Sequence, residues 1–398
     1  MNSAKDPFWW GIAGLILLVI GLVTVFKTRE MESVPVSAYE ELKREPAAGR
    51  ADEIPPDVKK GVEAVPPNET EQIAQIVELT RKLLQQRYPS SMARRNVHPK
   101  DHGCVRGDFT VNQDIPEKYR KGVFAAPGRT FHAWIRFSNA TPRVEPDVDG
   151  KGLASSRGMA IKLMGVDGRT LFDEPGAKTQ DFLMINQPVF TFANVADYLE
   201  LTRIQLASGR DDVSGFFANP SPQKLRTLDI IKGIRTTPLG NPLEAQYFTA
   251  APFMLGEHTV VKFSARPRAS TRTPIPPNPS PDYLREAMKR SLSPESGQPA
   301  EFDFLLQDRA DSNLPIEDAT ALWPEETAPF VPVATIHIDV QAFDHPLIAT
   351  ECEHMVFTPW HGLTEHQPLG GINRLRRAVY IASSRYRLEP REPSGYPH

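Results

Sequence analysis

Beyond residue 90 the chain is built from short segments dense in β-branched and aromatic residues: FHAWIRFS, GMAIKLMG, HTVVKFSA, EFDFLLQ and ATIHIDVQAF. Such residues fit a pleated, half-buried surface, so each segment is a predicted strand. They recur irregularly between long Pro-rich stretches, with helical periodicity only near NVADYLELTRIQLA and DYLREAMKRSL. Alternating βαβ units would place a helix after every strand. The pattern therefore predicts an α+β chain built on one large antiparallel barrel or sandwich with helical and Pro-rich insertions. Proline argues the same way: 38 of 398 residues is roughly twice ordinary usage, too many for a mostly helical bundle. Twelve of them lie between Pro267 and Pro332, which disfavours regular structure there. The sequence carries no internal repeat.

The N-terminal end reads differently. Residues Phe8 to Phe26 form 19 uncharged, mostly apolar positions, about 28 Å as a helix at 1.5 Å per residue, just enough to span a bilayer. Trp9 and Trp10 sit where an interfacial aromatic belt would, and Lys27 and Arg29 close the run. A cleaved signal peptide would have a shorter apolar core and a small-x-small cleavage site, whereas KTREM follows here, so an uncleaved single-pass anchor over 1–29 is favoured. Lys5 on one side against Lys27 and Arg29 on the other leaves both orientations of the anchor open, with a cytoplasmic catalytic domain the slightly preferred one. Residues 30–67 are polar, with six prolines and no apolar period, and read as a tether. Asn68 and Glu71 then mark a helix start, and Ile73, Ile76, Val77, Leu79, Leu83 and Leu84 form an apolar stripe that ends before Pro89. This helix is expected to pack on the domain that occupies 68–398.

The net charge of −3 gives no electrostatic reason to expect a nucleic-acid partner. Two cysteines, Cys104 and Cys352, exclude a multi-disulfide scaffold and any all-cysteine metal centre. Dinucleotide-binding, P-loop, α/β-hydrolase and zincin signatures are all absent from the sequence. His98 and His102 are four apart, but that spacing converges on a metal only along a helix, and Pro99 argues against one. His354, His361 and His366 lie on a polar stretch and read as solvated loop residues.

Six further motifs stand in order: Val97-His98-Pro99-Lys100, Arg136-Phe137-Ser138, Arg157 to Lys162 (RGMAIK), Asn186 to Phe190 (NQPVF), Asp318 to Pro324 (DATALWP) and Arg376 to Tyr380 (RRAVY). Together they resemble the haem catalase family, with its V-H-A-K, R-F-S, R-G-x-A-x-K, N-x-P-x-F-F, D-x-T-x-x-W-P and R-x-x-x-Y segments. The resemblance runs from about residue 95 to 388. It implies an antiparallel β-barrel with haem b beside it, and a homo-oligomer is an additional expectation.

It also implies roles. Tyr380 is the expected iron ligand, tyrosine being the proximal ligand of catalase, and Arg376 one helical turn earlier would hold a cation beside it. His98 is the expected acid–base group that passes a proton between the peroxide oxygens. Ser138 would orient His98 through its other ring nitrogen, and Asn186 would hydrogen-bond the bound peroxide. Arg95, Arg136 and Arg387 match the positions that bind the haem propionates. His102 is expected to stand apart, about 13 Å along a strand from His98 at roughly 3.3 Å per residue.

The departures point to a small catalase-related member. Only 18 residues follow Tyr380, and Ser383, Ser384, Arg385 and Tyr386 replace the family's histidines after the tyrosine. Hydrogen peroxide is the expected substrate. A peroxidase or isomerase acting on organic or lipid hydroperoxides is the alternative, although Val97 before the distal histidine follows the catalases rather than the allene oxide synthases. A non-catalytic haem-binding domain is a third reading, opposed by His98, Asn186, Arg376 and Tyr380 together. For the anchor, deletion of residues 1–30 is expected to yield a soluble protein with unaltered ligand chemistry. Fractionation tests it: a folded truncated protein that still pellets with lipid would mean a second membrane-contacting surface.

Overall fold

The computed structural model describes residues 58–387, apart from 60, 89–92, 173–177, 210–211, 296 and 311–312. The expected anchor and most of the tether lie outside the described residues. Among the described residues no helix is long and apolar enough to cross a membrane.

Among the described residues nine strands form one antiparallel sheet: β1 (Asp101–Val111), β2 (Thr130–Asn139), β3 (Arg157–Met164), β4 (Thr179–Ile185), β5 (Tyr247–Phe248), β6 (Phe253–Leu255), β7 (Thr259–Pro267), β8 (Ala300–Asp308) and β9 (Phe330–Ile338). Consecutive pairing runs from β1 to β4, and β7, β8 and β9 return to β1. The two residues of β5 close the circle, with Phe248 opposite both Ile185 on β4 and Ser264 on β7. Eight strands therefore make a barrel, and β6 extends β7 as a hairpin. All five strands predicted from the sequence are present.

Closure gives every strand an inside and an outside, at period two. On β2 the inward residues are Phe131, Ala133, Ile135 and Phe137, all in the main buried cluster, whereas Trp134, Arg136 and Ser138 face outward. An eight-stranded barrel is just wide enough for side chains to fill, and here phenylalanines fill it. Phe109, Phe182, Phe263 and Phe304 come from four different strands, and ring centroids lie 4.9 Å apart for Phe109–Phe304 and for Phe182–Phe304. His366 is buried among the same rings, with Nε2 accepting from the Val123 N–H at 3.0 Å. It is not the solvated loop residue expected of it.

Among the described residues six α-helices dress the barrel: α1 (Glu69–Arg87), α2 (Val195–Ser208), α3 (Pro222–Arg235), α4 (Tyr283–Ser291), α5 (Pro346–His354) and α6 (Gly371–Tyr386). The predicted stripe of α1 is buried from Ile73 to Leu84. Glu63, read as the end of the tether, reaches the domain and accepts from the Gly370 N–H and from Arg374. The stretch from Pro267 to Pro332 is more regular than its prolines suggest, because they punctuate α4 and β8 rather than interrupt them. Pro332 itself sits in β9 opposite Leu305, beside a register irregularity at Phe304/Leu305, the kind of bulge that tolerates a missing donor. Phe304→Ala is expected to cost about 3–5 kcal/mol, read as the shift in the urea midpoint; a loss below about 1 kcal/mol would show that these rings do not hold the barrel.

Candidate functional site

A cavity of about 300 Å³ lies against the outer face of β2, β3 and β4, beneath α1, α2 and α6. Three periodicities build it. Outward residues of the sheet, Arg136, Ser138, Gly158, Ala160, Leu183 and Ile185, form one wall. From α6, Ile372, Leu375, Arg376, Val379, Tyr380, Ser383 and Ser384 line it, a spacing of three and four that keeps them on one helix face, and Arg387 follows just beyond the helix end. Thr80, Leu83 and Arg87 of α1 and Tyr198, Leu201, Thr202 and Gln205 of α2 complete it in the same way.

Seven of the eight residues singled out from the sequence meet here: His98, Ser138, Arg95, Arg136, Arg376, Arg387 and Tyr380. His98 has a positive φ of 60°, rare for a residue with a side chain and held only where surroundings over-determine it. Its Nδ1 lies 2.9 Å from Ser138 Oγ, and its carbonyl accepts from Arg136 Nη2 at 2.8 Å. The ring packs on Gly158, where an added Cβ would sit 2.6 Å from His98 Cε1. The glycine of the RGMAIK motif is thus the floor beneath the imidazole. Burial, then the Arg136, Arg376 and Arg95 guanidiniums, push the His98 pKa from 6.5 down to about 3, so the ring is neutral across the physiological range.

Arg95, Arg136 and Arg387 cluster at the cavity. Arg95 and Arg387 share Glu353, while Arg136 donates to the backbone of His98. Burial and mutual repulsion lower Arg95 and Arg136 to about 10 and lower Arg387 as well, against the partial relief of Glu353 and, for Arg95 and Arg136, of Asp101. Arg376 Nη1 is fixed by Asn373 Oδ1 at 3.1 Å, and its guanidinium lies 5.4 Å from the Tyr380 ring. A buried cluster with this excess of positive charge suits a ligand that brings carboxylates.

Asn186 is not among the lining residues. Its Oδ1 accepts from the Arg157 N–H at 2.7 Å and from Ser156 Oγ at 3.2 Å, tying the start of β3 to the end of β4, and it is Ile185 that lines the cavity. His102 does not line it either. It is fully buried, with Nε2 2.9 Å from Asn139 Oδ1 in a network that includes Asp147 and Arg157. The sequence reading missed Glu353 and Tyr198. Nothing local marks Glu353, but Tyr198 stands three and seven residues before Leu201 and Gln205 on the α2 face. Burial and the nearby Tyr380 push the Tyr198 phenol up to about 12, so it remains a donor. Among the described residues no group of three metal-ligating acidic, histidine or cysteine side chains occurs.

The fold itself is that of the catalases. A bacterial catalase superposes with a TM-score of 0.57 at 17% identity, over 84% of this chain and 64% of that one. A fungal catalase gives 0.58 at 15% identity, over 86% and 69%. Catalase A from Saccharomyces cerevisiae gives 0.59 at 17% identity, over 86% of this chain and 72% of the yeast protein. The chain thus spans under two thirds of the bacterial enzyme's length. No family model matches the sequence, and no curated protein matches it.

Three buried histidines, His98, His102 and His366, have their pKa values lowered to about 3, chiefly by burial. The unfolded chain takes up these protons first, near 6.5, so the stability they confer is complete above that pH and is lost as pH falls towards 3. Unfolding free energy is expected to fall by about 1–2 kcal/mol per histidine between pH 6.5 and 5, measured by urea denaturation. A flat profile there would show that these rings are not held neutral.

Proposed function

We propose that this chain is a haem b enzyme that acts on peroxides, with hydrogen peroxide as substrate. The observation that carries the reading is one cavity that joins Tyr380 and Arg376 to the His98–Ser138 pair and to three buried arginines. The residues fit the group: Tyr380 would ligate the iron, and Arg95, Arg136 and Arg387 would take the propionates as fork-to-carboxylate pairs. Haem iron supplies the two-electron change by which one peroxide is reduced to water and a second is oxidised to oxygen. The protein handles protons. With Ser138 Oγ accepting from Nδ1–H, the His98 Nε2 lone pair is available to take a proton from one peroxide oxygen and return it to the other. The depressed pKa keeps that lone pair free at neutral pH, and the positive-φ backbone, the Arg136 bond and the Gly158 floor hold the ring in place.

Asn186 Oδ1 is held at the β3–β4 corner by Arg157 N–H and Ser156 Oγ, which leaves Nδ2 as the group that would donate to a peroxide. Ile185 in the wall makes the cavity more apolar than the sequence motif suggested, which favours a second reading in which organic hydroperoxides are taken as well. We further propose that residues 8–26 tether the domain to a membrane, consistent with the apolar run.

The test begins with the absorbance spectrum of the haem-loaded protein, followed by oxygen release from hydrogen peroxide against consumption of a fatty-acid hydroperoxide. Tyr380→Phe is expected to lose most haem incorporation; unchanged haem content and spectrum would require another ligand. His98→Ala should keep haem and lose about a hundred- to ten-thousand-fold in turnover. In the wild type, turnover should stay level as pH falls through 6.5. Equal turnover by wild type and His98→Ala at equal haem loading would overturn the mechanism.

A further inference from the structure

Cys104 on β1 and Cys352 on α5 are joined in a disulfide across 248 residues of sequence, with their Cα atoms 6.3 Å apart. Its place in the fold is unusual. Cys352 is the only buried residue of α5, Ile348 being half-buried beside it and Leu347 73% exposed. The chain is anchored in the core before the helix by Phe343 and after it by Met355. Between those anchors the disulfide is the covalent link that fastens α5 to the barrel, beside the packing of Ile348 and the arginine bonds at the helix end.

The C-terminal turn of α5 is also what holds the arginines. Arg95 Nη2 donates to the carbonyls of Cys352 at 3.0 Å and Met355 at 2.8 Å, and Arg95 Nη1 pairs with the Glu353 carboxylate. Arg387 Nη1 donates to the Glu353 carbonyl at 2.9 Å and reaches its carboxylate at 3.3 Å. The last carbonyls of a helix have no partner within it and carry the negative end of its dipole, so two guanidiniums are the natural complement. One of the disulfide's own residues is therefore among the acceptors that place Arg95.

We propose that the Cys104–Cys352 disulfide is a redox-modifiable fastener of this arginine clamp: oxidised, it fixes Arg95 and Arg387 for a carboxylate-bearing ligand, and reduced by a dithiol it releases α5 and loosens that ligand. The ligand part rests on the haem reading above. In the opening step a thiolate of the dithiol attacks one sulfur, the Cys104–Cys352 bond breaks, and the second thiol of the reductant displaces the protein sulfur. Two protein thiols and an oxidised, cyclic reductant result. In the closing step hydrogen peroxide oxidises one thiol to a sulfenic acid with loss of water, and the other displaces a second water to re-form the disulfide. Two thiols and one peroxide become one disulfide and two waters. The substrate class of the cavity would thus set the state of its own clamp. Because Cys352 is the one fully buried residue of α5, local opening of the helix gives the dithiol its path.

The test uses the full chain loaded with haem, before and after dithiothreitol, with reduction confirmed by thiol alkylation and mass spectrometry. Haem transfer to an excess of scavenging protein is timed, and amide hydrogen exchange over 346–355 is followed in the same samples. Reduction is expected to speed haem loss at least tenfold and to raise exchange over 346–355. Cys104→Ser/Cys352→Ser should show both changes without reductant and no further response to it, which separates the clamp from reduction of the iron. If that variant fails to fold, reduction of the folded wild type decides alone. Unchanged or slower haem loss on reduction overturns the clamp, even where exchange rises; unchanged exchange overturns the fastener. If the oxidised protein takes up no haem, the haem reading fails by itself, and exchange over 346–355 still decides whether the disulfide fastens α5.

Discussion

Closure of the sheet at β5 is the constraint on which the rest depends. Phe248 pairs with β4 on one side and β7 on the other, and without that double pairing β4 would be an open edge. Once the ring is closed, alternation along each strand becomes a division between a packed interior and an outer wall. The interior is filled by phenylalanines that contact one another across the axis. The outer wall between β2 and β4 is left to carry Arg136, Ser138, Gly158 and Ile185 to a cavity roofed by helices. The site is therefore not inside the barrel but against it, and its precision is inherited from strand register: Ser138 stands opposite Gly158, which brings the hydroxyl and the floor under one imidazole.

Burial then sets the charge state of the site. A histidine in water is partly protonated near neutrality; His98, desolvated and surrounded by guanidiniums, is not. The same desolvation makes clustered arginines costly unless anions answer them, and Glu353 answers only in part. That imbalance is what suits the cavity to the carboxylate-bearing ligand of the proposed function, and it gives the helix end at Cys352–Met355 its importance. Its carbonyls and carboxylate keep two of the cations in place while leaving charge to spare.

Strands rich in aromatic and β-branched residues were legible in the sequence, as was the stripe of α1, because both patterns are local and their periods differ. β1 was less so. It contains Gly103 and Gly107, which weaken any strand signal, and the structure shows why they are there: a Cβ at Gly103 would lie 2.5 Å from the Phe343 ring, and one at Gly107 2.6 Å from the His337 carbonyl. α3 and α5 were missed because each begins with a proline at its first turn and buries only one or two residues, so little apolar periodicity marks them. His366 was misread for a related reason: its polar neighbours in sequence say nothing of the phenylalanines that enclose it.

The sequence by itself marked five strands and the α1 stripe, because their composition and spacing operate within a few residues of chain, and the order of its six motifs, through their resemblance to the haem catalases, pointed to the seven residues that line the cavity. Only the tertiary structure decided that Asn186 turns to the β3–β4 corner, that His102 serves a buried network, that Glu353 binds Arg95 and Arg387, and that Cys104 meets Cys352. Those outcomes depend on groups brought together across as many as 258 residues and on how much water the surrounding elements exclude. Neither quantity is encoded in any single stretch of the chain; both arise when the ring of strands closes and the helices settle on its outer wall.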